Sequence, residues 1–176
     1  FREMRDVGHT HDPALWAQMV EQGWAGVLVP EDAGGSDMGF AAANVIAGEM
    51  GKTLAVSPFL STAVIAATAL RQVSDTRATA ALSKIASGDA TYALAVDESV
   101  KFDPNTAQLQ AKREGNGFRL SGKKQFVVDG AQADRVLVLA RTDEGLTLFD
   151  IPSDRAGITR AASNMIDSRD AARITF

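Results

Sequence analysis

The side chains whose types and spacing could do chemistry are few. Asp97 and Glu98 stand together at the end of an apolar run, where two carboxylates can serve as general acid and base; the pair equally suits a strand terminus that meets solvent. The glycine-rich stretch EDAGGSDMG, Glu31 to Gly39, has the composition of a phosphate cradle, in which backbone N–H groups close on an anion at a helix N-terminus. It lacks the G-x-G-x-x-G placement and no strand–helix–strand unit surrounds it, so it reads as a structural loop leading into a helix. His9 and His11 form H-x-H, which could open a metal site. The chain has no other histidine and no cysteine, so a metal set is not completed and a solvated segment ahead of a helix accounts for both. No serine–histidine–aspartate arrangement follows from spacing, and there is no thiol nucleophile.

The elements that must position these residues change period near residue 90. Asp12 before Pro13 is an N-cap with proline at the first helical position. Leu15, Trp16, Met19 and Val20 follow at helical spacing until Gly23. A second helix is expected from Met38 to Met50, with Phe40, Val45, Ile46 and Met50 inward and Gly51 just past its end. A third should cover Leu60 to Gln72 after Pro58. A fourth should start at Ser74 or Asp75, bury Ala78, Ala81, Leu82 and Ile85, and stop at Gly88.

Beyond residue 90 the period becomes two. Ala107, Leu109 and Ala111 alternate with polar neighbours in TAQLQAK, as in a strand with one buried face. EGNG, Glu114 to Gly117, is a hairpin signal ahead of Phe118 and Leu120. Further strands are expected at Tyr92 to Val96, Lys124 to Val128, Arg135 to Arg141, Leu146 to Ile151 and Arg173 to Phe176. The second half reads as antiparallel β throughout. Helices segregated ahead of strands give an α+β class, with a helical domain over 1–89 and a β domain over 90–176. Because Phe176 falls inside an apparent strand, a partner strand or domain is expected beyond it, and Phe1 leaves room for a segment upstream.

With 176 residues, 45% hydrophobic and 23% charged, the chain can build one substantial core or two small ones. A net charge of −4 argues against a phosphate-neutralising surface and hence against nucleic acid. The longest apolar run, around Ala63 to Leu70, falls short of the roughly 20 residues that span a bilayer. The absence of cysteine leans towards an intracellular, cytoplasmic setting.

At WAQMVEQGWAGVLVPEDAGGSDMG, Trp16 to Gly39, the sequence resembles the acyl-CoA dehydrogenase family. The likeness continues in order through Glu49 to Leu54, Leu82 to Gly88, ALAVDE at Ala93 to Glu98, and FRLSGKKQFVVDGAQADRVLVLART at Phe118 to Thr142. It implies an amino-terminal helical domain followed by an antiparallel, barrel-like middle β domain, with the family's carboxy-terminal helical domain outside this chain. It further implies FAD as cofactor and oxidation of an acyl-CoA thioester to the 2,3-enoyl-CoA. In that reaction a carboxylate takes the α-proton while hydride passes from the β-carbon to flavin. Most members place the base in the third domain, so no catalytic residue is assigned here. An electron-transfer flavoprotein as acceptor and a homotetrameric or heterotetrameric assembly are also implied.

By the same resemblance, the family's x-x-T-E-P flavin contact falls on Leu94, Val96, Asp97 and Glu98, and its W-I-T contact on Phe126, Val127 and Val128. Phe126 can set an apolar ring beside the flavin, or serve as an ordinary core aromatic. Asp97 replaces the usual threonine, Ser99 the proline and Val128 the hydroxyl residue, and the G-S-D that follows the first contact is missing from VKFDPNT at Val100 to Thr106. A carboxylate at Asp97 repels an electron-rich reduced flavin unless it is paired or turned away. The alternatives are a non-catalytic subunit of a heteromeric dehydrogenase, a flavin monooxygenase or acyl-CoA oxidase on the same fold, and a non-redox acyl-CoA binding module.

Overall fold

The computed structural model describes residues 11–163, 165 and 169–176; His9 of the H-x-H pair lies outside the described residues. Two compact units make up the chain, Phe1–Tyr92 with Ile166–Arg169 and Ala93–Met165 with Asp170–Phe176. Helices build the first and strands the second, so the α+β class holds.

In the first unit the Asp12 carboxylate accepts hydrogen bonds from the N–H groups of Ala14 and Leu15 and starts α1 (Pro13–Glu21), whose Trp16 and Met19 are buried. After Gly23 the chain runs through two 3-10 turns flanking the buried Val27, Leu28 and Val29. The double glycine belongs to this packing. A Cβ at Gly35 would lie 2.0 Å from the Val29 carbonyl oxygen, so only glycine lets the loop close there.

The second helix, α2 (Gly39–Thr53), runs past its expected end: Gly51 lies inside it and Leu54 takes the left-handed cap at φ 52°. The expected inward face is a correction. Phe40 is 57% and Val45 64% exposed, Ile46 and Met50 are half-buried, and Ala43 alone among its residues is buried. Periodicity identifies an apolar face, not what covers it. A third helix begins at Phe59, but its first part, Phe59–Ala66, is π-helical before α3 (Ala67–Leu70). Within the wide turn Thr62 Oγ1 accepts the N–H of Tyr92 and donates to its carbonyl, at 2.9 and 3.1 Å. The last helix, α4 (Thr76–Ser87), is capped by Asp75, buries Ala78, Ala81, Leu82 and Ile85, and ends at Gly88 with φ 75°, as its residues predict.

The second unit is built from strands β1 (Tyr92–Ala95), β2 (Gln110–Glu114), β3 (Gly117–Ser121), β4 (Lys123–Val128), β5 (Arg135–Thr142), β6 (Gly145–Pro152), β7 (Thr159–Ala161) and β8 (Ala171–Thr175). One sheet has the order β1-β5-β2-β3 with β6 also on β5; the other is β4-β8-β7. The sheets enclose Val127, Val136, Val138, Ala140, Ala172 and Ile174 without closing into a full barrel. The all-antiparallel expectation needs one correction, since β2 meets β5 in parallel through Gln110 and Arg141. Ala107, Leu109 and Ala111 are buried as their alternation requires, but the strand starts only at Gln110. The N–H groups of Gln108 and Leu109 go to the Glu98 carboxylate, not to a neighbouring strand. β7 was not expected from sequence, because its three residues are all exposed and show no alternation.

Candidate functional site

β1 sends Ala93 and Ala95 into the core of the second unit and leaves Leu94 half-buried on the other side. The chain then leaves the strand, and β4 catches it. The Gln125 N–H donates to the Asp97 carbonyl at 2.8 Å. The Lys124 ammonium donates to the Val96 carbonyl at 2.9 Å and to Glu98 Oε1 at 2.7 Å. The Lys124 side chain is 0% exposed.

Glu98 has little capacity left for proton transfer. Besides Lys124 it accepts the N–H groups of Gln108 and Leu109, at 2.8 and 2.9 Å. Burial alone pushes its carboxyl up, but the hydrogen bonds from Lys124, Leu109 and Gln108, with the charge on Lys124, bring it below the usual carboxylate range. A carboxylate held ionised by three donors is a structural anion, so the acid/base reading of this residue is set aside. Asp97 differs from its neighbour. Its Oδ1 is sealed from solvent and has no hydrogen-bond partner among the described residues, a costly position for a carboxylate oxygen.

Two residues beyond Lys124 the strand breaks its own pattern. Lys124 pairs with Ile174 and Val127 with Ala172, so β4 spends one residue more than β8 and forms a bulge. Phe126 occupies it at φ 56°, with its side chain 54% exposed. A non-glycine residue in the left-handed region costs about 1–2 kcal/mol, and an aromatic ring held outward at that cost is a feature of binding surfaces more than of cores. Beyond the bulge Val128 pairs with Ala171 and is half-buried. The bonds joining the two segments therefore run through Val96, Asp97 and Glu98 on one side and Lys124 and Gln125 on the other. Phe126 follows directly, while Leu94 lies two residues before Val96 and Val128 two residues beyond Phe126.

The sequence reading sets Lys124 at the start of a strand and assigns it no role. Strict alternation in KKQFVV puts Lys124, Phe126 and Val128 on one face; burial of both Lys124 and Val127 requires the bulge, for which the sequence carries no signal.

These residues fit a flat, partly apolar ring system with polar edges. Phe126 offers an exposed ring. The carbonyls of Val96 and Asp97 are engaged within the chain and Asp97 Oδ1 is sealed from solvent, so a polar contact from the strand end to a ring edge would have to come from backbone N–H groups.

Comparison with known proteins bears on the fold and the family. The family model described as acyl-CoA dehydrogenase, N-terminal domain, matches residues 1–89. Acyl-CoA dehydrogenase FadE27 of Mycobacterium tuberculosis is 30% identical over 162 residues, covering 92% of this chain and 42% of the relative. Mitochondrial isovaleryl-CoA dehydrogenase of Pongo abelii is 28% identical over 149 residues, covering 82% of this chain and 34% of that protein. Among solved structures, the ChsE4-ChsE5 complex from Mycobacterium tuberculosis is similar with a TM-score of 0.87 at 26% identity, over 99% of this chain and 47% of the matched one. The chain thus spans less than half the length of these relatives. With half of its residues matched by the family model and the fold matched across nearly all of them, the chain belongs to the acyl-CoA dehydrogenase family.

Proposed function

We propose that this chain is the amino-terminal and middle part of a flavin-dependent acyl-CoA dehydrogenase subunit that oxidises an acyl-CoA thioester to the 2,3-enoyl-CoA. The observation that carries the reading is Phe126, an aromatic ring left exposed at a left-handed bulge where the family resemblance expects a flavin contact. FAD, when bound, supplies the hydride acceptor. The residues of this chain bind and orient it: Phe126 covers the ring, Leu94 and Val96 give an apolar wall, and the strand end at Asp97 meets the polar edge. Val128 stands where the family resemblance expects a hydroxyl residue, and contributes apolar cover that keeps water away. The acyl-CoA thioester is the substrate, an electron-transfer flavoprotein the onward acceptor, and a tetramer of like or unlike subunits the assembly.

A second reading has its own observation. Asp97 stands where the family resemblance expects a threonine, with one carboxyl oxygen sealed and without a partner among the described residues, and Val128 offers no hydroxyl. Both suit a subunit that holds cofactor weakly and works beside an unlike, competent partner. The visible absorption spectrum of the purified complete protein, followed by anaerobic titration with a panel of acyl-CoA thioesters, separates the two. Flavin absorbance that bleaches on addition of a thioester supports the first reading. A colourless protein that takes up no FAD sinks it and leaves the second.

A further inference from the structure

We propose that Lys124 and Glu98 form a latch between the two sheets of the β unit, and that this latch sets the spacing and facing of the Val96–Asp97 strand end relative to Phe126. The inference rests on the flavin reading above and adds the residues that hold its two contacts in register.

β1 and β4 belong to different sheets, so no ladder of backbone bonds aligns them. Their alignment comes from Lys124 Nζ on the Val96 carbonyl and on Glu98, with the Gln125 N–H on the Asp97 carbonyl beside it. Glu98 carries the connection onward to the N–H groups of Gln108 and Leu109, just ahead of β2. One buried ammonium therefore gathers the exit of β1, the body of β4 and the entrance of β2.

Stability does not account for such a pair. Withdrawing an ammonium and a carboxylate from water costs so much that replacing both by apolar side chains is commonly neutral or stabilising. What a buried pair can give is a defined register, and the position of this one makes register matter. Lys124 is the last paired residue before the shift in β4, and Val127 the first after it. A slip of β4 by one residue would turn every side chain to the opposite face, carrying Phe126 inward. The same slip would take the Lys124 charge away from its two acceptors and strand Glu98 without its cation. The latch thus penalises the register in which the aromatic ring is hidden. Lys124 is fully buried and Glu98 largely so, and both are spent on bonds within the chain, so both are positioning residues.

The test uses the complete protein and three variants, Lys124→Met, Glu98→Gln and the two combined. FAD affinity is read from quenching of flavin fluorescence, melting temperature from the FAD-free protein, and amide hydrogen exchange at Gln108, Leu109 and Gln125 from the FAD-free protein as well. The combined variant should melt close to wild type, lose exchange protection at Gln125 while β5 and β6 keep theirs, and bind FAD about tenfold more weakly, as expected for a loss near 1.4 kcal/mol. Unchanged FAD affinity in the combined variant overturns the latch. So does a loss of affinity that tracks the fall in melting temperature across all three variants, since a purely structural pair would behave that way. Wild-type protein that takes up no FAD fails the flavin reading itself and takes the proposal with it; wild type that binds while the variants bind equally well fails the latch alone.

Discussion

Phe126 gives the sharpest test, because its two properties pull in opposite directions. The ring is 54% exposed, so slightly under half of its surface is withdrawn from water. Full burial of such a side chain is worth about 1.5–3 kcal/mol, and the contacts it makes here are worth roughly 1 kcal/mol by that measure. Phe126→Ala forfeits them and keeps the left-handed backbone at φ 56°, so it should lower stability by about 1 kcal/mol. Phe126→Gly forfeits the same contacts but relieves about 1–2 kcal/mol of backbone strain, against roughly 0.5–1 kcal/mol for the freer unfolded chain. Glycine should therefore be the milder substitution, leaving the protein near wild type and above the alanine variant. For a unit of this size about 1 kcal/mol corresponds to roughly 4–8 °C in melting temperature. Both variants lose the ring, and both should bind FAD about five- to tenfold more weakly, in line with an aromatic contact of about 1 kcal/mol. Differential scanning fluorimetry of the FAD-free protein and flavin fluorescence titration read the two quantities separately. Equal melting of the alanine and glycine variants would refute the strain; undiminished FAD affinity in both would refute the contact; loss of affinity only in proportion to stability would return Phe126 to the core.

Glu98 predicts an acid limb in the stability profile. Its folded carboxyl lies below the ordinary range, so its stabilising contribution is complete above the unfolded value near 4.3 and is lost as pH falls through the lower folded value. Melting temperature across pH 3 to 7 should drop at the acid end, and Glu98→Gln should melt lower at neutral pH with a shallower acid slope. Gly35→Ala drives a Cβ to 2.0 Å from a backbone oxygen, and denaturant unfolding should register a loss of about 3 kcal/mol; a loss under 1 kcal/mol would mean that the loop can move aside. Thr62→Val keeps volume but removes both hydrogen bonds to the Tyr92 backbone, for an expected loss of about 2–3 kcal/mol in the same assay.

What was legible in the sequence divides by whether its cause is local. Asp12 and Asp75 cap helices because a carboxylate ahead of a helical run has nearby N–H groups to serve, and those bonds span only two or three residues. The hairpin at Glu114 and Gly117 is equally local. The facing of α2 is not, since Phe40 and Val45 carry the right period without saying what lies against them. The bulge at Phe126 is not legible either. It depends on one residue of mismatch between β4 and β8, strands separated by more than forty positions. Glu98 and Lys124 share this blindness. Each reads alone as a polar residue near a strand, and only their meeting at 2.7 Å turns an acid/base candidate into a structural anion.

Three local rules are broken at one seam: a lysine is buried, a phenylalanine sits at positive φ, and a carboxylate oxygen is sealed without a donor among the described residues. Each is unfavourable by itself, and each has a simple remedy. Glycine would relax position 126, an apolar pair would replace Lys124 and Glu98, and threonine or asparagine would satisfy position 97 more cheaply. Scattered over a fold, such conflicts would read as independent imperfections. Positive φ and sealed polar atoms also occur singly elsewhere, as at Leu54 and Ser153; here three conflicts fall within two segments, Val96 to Glu98 and Lys124 to Phe126, that hydrogen bonds join directly. Conflicts between local preference and global structure gather where binding sets the requirement. On that ground we propose the seam, and not the double-glycine loop with its suggestive composition, as the cofactor-contacting surface of this chain. The Gly35 contact with Val29 is explained completely by packing, whereas packing explains neither the exposed ring nor the sealed oxygen.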